Sequence, residues 1–234
     1  MPLRIVLASQ SPRRRRLLGW LGVPFACASV ETPESLDTPL TAFPLKLAQS
    51  LAAEKAVAAR ETGLGDGALV LCFDTIVVLD DRVLGKPVDV NDAWRMLRAL
   101  SGRTHEVVTG VALLAPRDAA PRTFAVATPV RMRTLCDADI ESWMAHGTFL
   151  GCAGAYNIEA QVAEVGAADC YQNVAGLPLC HLYAALVEAG PLTERLAASP
   201  SIPVAACDEA LARRCALGPA VCSGSGPAER NGPS

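Results

Sequence analysis

The sequence predicts an α/β fold built on a mixed sheet, and three features predict it. Short apolar runs rich in β-branched residues alternate with segments of helical apolar spacing along most of the chain. Several of the strands are joined by short polar turns, so they pair as antiparallel hairpins and the sheet is mixed rather than wholly parallel. The longest apolar runs, "ALVLCF" and "TIVVL", belong in a protein core, since a membrane span needs roughly 20 such residues.

Taken in order, "RIVLAS" reads as a buried strand. "SPRRRRLLGWLG" follows as a helix with Ser11 as N-cap, Pro12 in the first turn and Gly22 as the stop. "FACASV" is a second short strand, and "ETPESLDTP" a loop. A long helix runs from about Thr41 to Arg60, its apolar face made of Leu47, Ala48, Leu51, Ala52, Ala56 and Ala59. "ALVLCFDTIVVLDDRVLGKP" reads as a strand, an Asp-Asp turn and a short return strand. "VNDAWRMLRALSG" is a helix closed by Gly102, and "THEVVTGVALLAP" and "TFAVATPVRMRTL" form a long hairpin around "RDAAPR". "DADIESWMAHG" is a capped helix, "GAYNIE" a short strand and "LPLCHLYAALVEAG" a late helix. From residue 198 the composition turns to Pro, Ser, Gly and Ala. The expected division is one domain over 1–197 and a largely disordered tail over 198–234.

The formal net charge of -3 lacks the basic excess that long nucleic acids require, so any basic patch is local. The N-terminus has neither a secretory apolar region nor a transit-peptide composition, and a cytoplasmic, membrane-free protein is expected. Nine cysteines without a Cys-x-x-Cys pair argue against a disulfide framework and against a zinc site.

Several charged residues stand where apolar ones belong. Arg14 shares a helix face with Leu17, Leu18 and Leu21. Its helix starts with free backbone N–H groups and a positive dipole end, where an anion is welcome and a row of arginines is not. Arg13 and Arg14 are therefore candidate phosphate ligands, whereas Arg15 and Arg16 read as a solvated face. Asp74 interrupts "LVLCFDTIVV", and a carboxylate buried there costs several kcal/mol unless it is paired or metal-bound. An aspartate capping a strand end is the alternative. Lys55 breaks the stripe of the long helix, either snorkelling or pointing inward. Of the 21 Lys and Arg residues only Lys46, Lys55 and Lys86 are lysines. Lys86, in "LGKP", is either an exposed loop residue or an ammonium held over a phosphate. Two arginines at a helix start, two lysines and a buried aspartate suit a polyphosphate with a divalent metal. Glu34 is a candidate acidic partner for Asp74. The P-loop and GxGxxG patterns are absent.

"LASQSPRRRRLLGWLGVPF", "LAAEKA", "DTIVVLDDRVLGKP", "ALSGRTHEVVTGVAL", "GAYNIE" and "NVAGLPL" resemble, in order and spacing, the Maf family of nucleotide pyrophosphatases across roughly residues 3–190. The resemblance implies an elongated mixed sheet flanked by helices, with two lobes around a cleft, similar to inosine-triphosphate pyrophosphatases. It implies a homodimer that hydrolyses a nucleoside triphosphate to the monophosphate and pyrophosphate with Mg²⁺ or Mn²⁺. By the same resemblance Ser9, Arg13 and Arg14 bind phosphate, Glu34, Lys55, Asp74 and Lys86 complete the catalytic cleft, and Asp74 is the proton acceptor. Asp74 and Glu34 are the implied metal ligands. Arg13, Thr75 and Glu159 occupy the positions associated with base choice. Arg and Thr resemble the dTTP/UTP-cleaving members, and Glu resembles the 7-methyl-GTP-cleaving ones. Gln161 is an alternative base contact if the register shifts. Arg16, "YNIEA" and Asp169-Cys170-Tyr171 depart from the usual pattern. A nucleotide-binding regulator with weak turnover is the competing reading.

Overall fold

The computed structural model describes residues 4–30, 32, 35–63, 66–189 and 202–224. Strand β1 (Arg4–Ala8) leads through a tight turn into helix α1 (Pro12–Gly19), then β2 (Phe25–Ala28). A 3-10 turn (Pro39–Ala42) precedes α2 (Pro44–Glu61), and β3 (Ala68–Leu79) returns on β4 (Arg82–Leu84). Next come α3 (Val90–Leu100), β5 (Thr104–Leu114), β6 (Arg122–Met132), α4 (Asp137–Met144), β7 (Ala163–Val165), α5 (Tyr171–Val174) and α6 (Leu179–Glu188). Two further helices, Ile202–Leu211 and Gly218–Cys222, lie near the C-terminus.

The strands form one seven-stranded mixed sheet in the order β2-β1-β3-β5-β6-β7, with β4 pairing on β3. β1 is parallel to β2 and β3, and the β3-β5-β6-β7 ladder is antiparallel. The Asp80-Asp81 turn holds both residues at positive φ. That is the two-residue geometry whose twist matches a right-handed hairpin.

Alternation along β3 sends its side chains to two cores. Leu69, Leu71, Phe73, Val77 and Leu79 join Leu17 and Leu18 of α1, Leu97 and Leu100 of α3 and Leu182 of α6. Val70 and Cys72 meet Ala52, Ala56 and Ala59 of α2, while Ile76 and Val78 meet Leu47, Ala48 and Leu51. The alanine stripe brings α2 unusually near the sheet. It passes directly over Gly110, where a Cβ would stand 2.0 Å from the Ala48 carbonyl oxygen. Only glycine fits there, and Gly110 is the β5 partner of Asp74.

Three expectations are corrected. The long helix begins at Pro44 rather than Thr41, because a proline suits the first helical turn and the residue before it is pushed out of the helical region. "GAYNIE" is not a strand but parts of two 3-10 turns, Ala153–Ala155 and Ile158–Ala160, with Gly154 and Ala155 at positive φ. The span expected to be a mostly disordered tail contains two helices, and Cys207 of the first is buried in the larger core. Arg213 reinforces that docking, its guanidinium 5.9 Å from the Tyr171 ring centre. Residues 198–201 and 225–234 of that span lie outside the described residues.

Candidate active site

Pairing along one edge of β3 is interrupted. The β1 register ends at Leu7 opposite Leu71, and the β4 register begins at Leu84 opposite Val77. Among the described residues no strand pairs with that edge between Leu71 and Val77, and a cavity of about 900 Å³ opens there. Ser9, Arg13, Arg14, Lys55, Asp74, Thr75 and Lys86 all line it. The first turn of α1 faces it, so unpaired helix N–H groups and the positive dipole end are directed at the same space.

Asp74 and Thr75 are neighbours on β3 and therefore project to opposite faces of the sheet. Asp74 faces α2 and forms an ion pair with Lys55, the two side chains 6% and 13% exposed. This resolves both anomalies in the sequence: the inward lysine of the helix is the counter-charge of the buried aspartate. The close seat of α2 on Gly110 sets how near the two elements come.

Thr75 faces α1, where Arg14 is held in a defined pose. Arg14 Nε donates to the Gly176 carbonyl at 2.8 Å and Nη2 donates to Thr75 Oγ1 at 2.9 Å. Its guanidinium lies 5.7 Å from the Phe73 ring centre, a favourable cation–π arrangement. Gly176, at φ +96, holds a backbone conformation that favours glycine. Ser11 Oγ caps α1 by accepting from the Arg14 N–H at 3.4 Å, and Ser9 Oγ accepts from the Ser11 N–H at 3.2 Å.

The hydroxyl protons behind Thr75 are fixed by elimination. Thr109 Oγ1 donates its only proton to the Asn173 carbonyl at 3.0 Å, so in the 3.0 Å Thr75–Thr109 contact Thr75 is the donor. Thr75 therefore accepts from Arg14, and any capacity it has left toward the cavity is as an acceptor. Asn173 is the anchor: its Nδ2 donates toward Val107 O, Val126 O and Thr128 Oγ1, each at 3.0 Å.

Arg13 points toward the far wall, its Nη2 3.7 Å from Cys152 Sγ. Tyr156, on the same wall, is backed by a 2.7 Å hydrogen bond to His105 Nε2. His105 is 3% exposed, and burial pushes its pKa down to about 4. Lys86 is carried by a loop pinned through Gly85, whose carbonyl accepts from the Gly154 N–H at 2.9 Å.

One expected site residue, Glu159, is not brought into this cavity. Glu159 pairs with Arg16 on the outer side of α1 and lines a separate, smaller groove beside Trp143. The 3-10 turn capped by Asn157 directs it there, since Asn157 Oδ1 accepts from the Glu159 N–H at 3.1 Å. Arg16 and Glu159, both departures from the usual pattern, are thus each other's partners, and Arg16 is an ion-paired rather than simply solvated residue. Glu34 lies outside the described residues. Gln161, the alternative base contact, stands at a left-handed 3-10 end and is absent from the residues lining the cavity.

Sequence reasoning missed Thr109, Asn173 and Cys152. Thr109 carried a readable signal, a polar residue amid the apolar "VVTGVAL", the same anomaly that exposed Asp74. Among the described residues, no group of three or more His, Cys, Asp or Glu is placed as a ready-made metal centre.

Known proteins share this arrangement of sequence. The dTTP/UTP pyrophosphatase of Moorella thermoacetica is 48% identical over 179 residues, 75% of this chain and 90% of that protein. The dTTP/UTP pyrophosphatases of Pelotomaculum thermopropionicum and Chlorobaculum parvum are 43% and 40% identical, covering 92% and 96% of those proteins and 76% and 81% of this chain. Among solved structures, the Staphylococcus aureus Ham1 protein aligns with a TM-score of 0.39 and 13% identity, over 55% of this chain and 71% of that one. The family described as Maf-like protein matches residues 4–189. With four-fifths of its length matched by that family and its relatives aligned nearly end to end, this chain belongs to the Maf-like proteins.

Proposed function

We propose that this protein is a nucleoside triphosphate pyrophosphatase that hydrolyses dTTP and UTP-type nucleotides to the monophosphate and pyrophosphate. The observation that carries this reading is the convergence of Arg13, Arg14, Lys55 and Lys86 with the buried Asp74 in one cavity at a helix N-terminus. The similarity to dTTP/UTP pyrophosphatases over most of the chain supports it.

In this reading the cations and the α1 N–H groups hold the triphosphate and neutralise charge as it develops at the scissile phosphate. Ser9 binds phosphate at the start of the loop. Asp74 accepts the proton of the water that attacks the α-phosphorus, and Lys55 compensates the buried carboxylate. The donor set fits a hard divalent ion: among the described residues one carboxylate, Asp74, lines the cavity, and Mg²⁺ or Mn²⁺ commonly sits on one or two carboxylates plus substrate phosphates. Asp74 would hold it, with Glu34 as the proposed second ligand. When bound, the ion supplies charge neutralisation on the phosphates and a more acidic water.

Base choice rests on donor and acceptor matching. Uracil and thymine present an N–H between two carbonyls. Thr75 as acceptor suits that N–H, and Arg13 suits a carbonyl. A guanine-type base calls for a carboxylate facing adjacent N–H donors, and Glu159 is engaged with Arg16 outside the cavity. That geometry favours the pyrimidine. A cytoplasmic homodimer is the setting carried over with this reading, and light scattering on the purified chain checks the stoichiometry.

The test is a panel of triphosphates with Mg²⁺ or Mn²⁺, assayed for pyrophosphate release. Turnover of dTTP and UTP above GTP and 7-methyl-GTP is expected. Binding of dTTP with no turnover would replace the enzyme with the regulator. Asp74→Asn is expected to abolish turnover while retaining nucleotide binding.

A further inference from the structure

Thr109 on β5 is polar and fully buried, and it lies directly behind a residue of the cavity. Thr75, its cross-strand partner on β3, is partly exposed and lines the cavity. The two hydroxyls belong to a closed ring of hydrogen bonds. Arg14 Nη2 donates to Thr75 Oγ1 at 2.9 Å, Thr75 Oγ1 meets Thr109 Oγ1 at 3.0 Å, and Thr109 Oγ1 donates to the Asn173 carbonyl at 3.0 Å. The Gly176 N–H donates to that same carbonyl at 2.9 Å, and the Gly176 carbonyl accepts from Arg14 Nε at 2.8 Å, which closes the ring.

A guanidinium only donates and a carbonyl only accepts, so the two ends of the hydroxyl pair have fixed polarity. With the Thr109 proton on the Asn173 carbonyl and the Thr75 proton on Thr109, every bond runs the same way, from Arg14 toward Asn173. Chains aligned in this manner strengthen their members. Of the two lone pairs on Thr75 Oγ1, Arg14 takes one, and the other is what Thr75 has left to offer.

We propose that Thr109 is a specificity-determining positioning residue, which by accepting the Thr75 proton makes Thr75 an acceptor toward the cavity and so selects uracil or thymine over cytosine. The inference deepens the proposed function and rests on its placement of a pyrimidine base against Thr75. Uracil and thymine carry a hydrogen on N3 and donate it, whereas cytosine N3 carries a lone pair. Against cytosine, Thr75 sets lone pair against lone pair. Its proton has no reason to turn, because Thr109 accepts it and Arg14 offers only donors. Without the Thr109 hydroxyl the same proton is released toward the cavity, and Thr75 becomes a donor to cytosine N3. Thr109 has no exposed surface of its own, so its influence on the base passes wholly through Thr75.

The experiment measures affinity by calorimetry with Mg²⁺, using uridine and cytidine triphosphates that carry a methylene group between the α- and β-phosphorus. The parent is expected to bind the uridine analogue at least about tenfold more tightly than the cytidine one. Thr109→Val keeps the shape without the hydroxyl and is expected to cut that ratio about tenfold, with weaker uridine and tighter cytidine binding. Thr109→Ser is expected to restore the parent ratio. In a Thr75→Val background, adding Thr109→Val is expected to leave the ratio where Thr75→Val puts it. An unchanged ratio in Thr109→Val, a parallel loss for both analogues, or a further change of ratio in the double variant overturns the proposal. Equal binding of the two analogues by the parent, or binding of neither, does the same. Neutron diffraction from perdeuterated crystals of the parent reads the assignment without any variant. The Thr75 hydroxyl deuterium is expected on the line to Thr109 Oγ1, and one directed into the cavity overturns the proposal. Pyrophosphate release from UTP is assayed alongside: a parent that shows the expected affinity ratio but releases none loses the hydrolase reading and keeps the role of Thr109.

Discussion

Replacing Lys55 by methionine keeps the stem of the side chain and removes its charge, leaving the Asp74 carboxylate buried without that counter-ion. The carboxylate side chain is only 6% exposed and the ammonium 13%, so water replaces little of the lost interaction. Breaking a buried ion pair at one end costs about 3–5 kcal/mol, while replacing both partners by uncharged groups is often close to neutral. Lys55→Met is therefore expected to lower stability by about that amount, which for a chain of this size corresponds to a fall in Tm of about 6–20 °C. Lys55→Met/Asp74→Asn is expected to recover most of the loss and to lie within about 1 kcal/mol of the parent protein. Urea unfolding of the parent, both single variants and the double variant closes the cycle. The double variant also separates folding from chemistry, because it is expected to be stable yet at least about 10²-fold slower in pyrophosphate release. A Lys55→Met penalty below about 1 kcal/mol, or a double variant as unstable as the sum of the singles, would refute the assignment of this pair as a buried mutual charge compensation.

Other substitutions test separate parts of the site. Arg14→Lys keeps the charge but not the fork that reaches both Gly176 and Thr75. One lost charge-assisted hydrogen bond is worth about 1.5–3 kcal/mol, so kcat/KM for dTTP is expected to fall about 10- to 100-fold with little change in fold. Gly110→Ala forces a methyl against the Ala48 carbonyl. A destabilisation of about 1–3 kcal/mol or more is expected by urea unfolding, with lower activity at temperatures where the variant is still folded. Glu159→Gln breaks only a surface pair with Arg16. It is expected to change stability by less than about 1 kcal/mol and to leave the dTTP-to-GTP preference in place. Buried His105, with its pKa pushed down to about 4 from 6.5, binds its proton more readily in the unfolded chain. Stability is therefore full above pH 6.5 and falls as the pH drops toward 4, by about 3 kcal/mol from this residue. His105→Gln is expected to flatten that slope in unfolding curves taken between pH 7 and pH 4.5.

What could be read from the sequence was whatever produced a local conflict. Asp74 and Lys55 were visible because each breaks an apolar pattern, and the structure joins them across 19 positions of sequence. Arg13 and Arg14 were visible because cations are misplaced at a helix start. Strand and helix order followed from periodicity, which holds wherever one face of an element is buried. Residues whose position depends on tertiary approach stayed hidden. Nothing local shows that Asn173 bridges three acceptors on β5 and β6, or that the Ile158–Ala160 turn sends Glu159 to Arg16. The C-terminal helices were missed because Pro, Gly and Ser dilute their pattern. Their fit depends on small side chains, such as Gly218 against Cys180, rather than on an apolar stripe.

The interruption in pairing along β3 has a bearing on solubility as well as on catalysis. An open strand edge inside an apolar sheet is where a second chain would add itself, strand on strand. Here that stretch is ringed by Arg13, Arg14, Lys55 and Lys86, so an incoming strand would have to bury cations that phosphate welcomes. The groups proposed to admit a nucleotide thus also guard the sheet against its own kind.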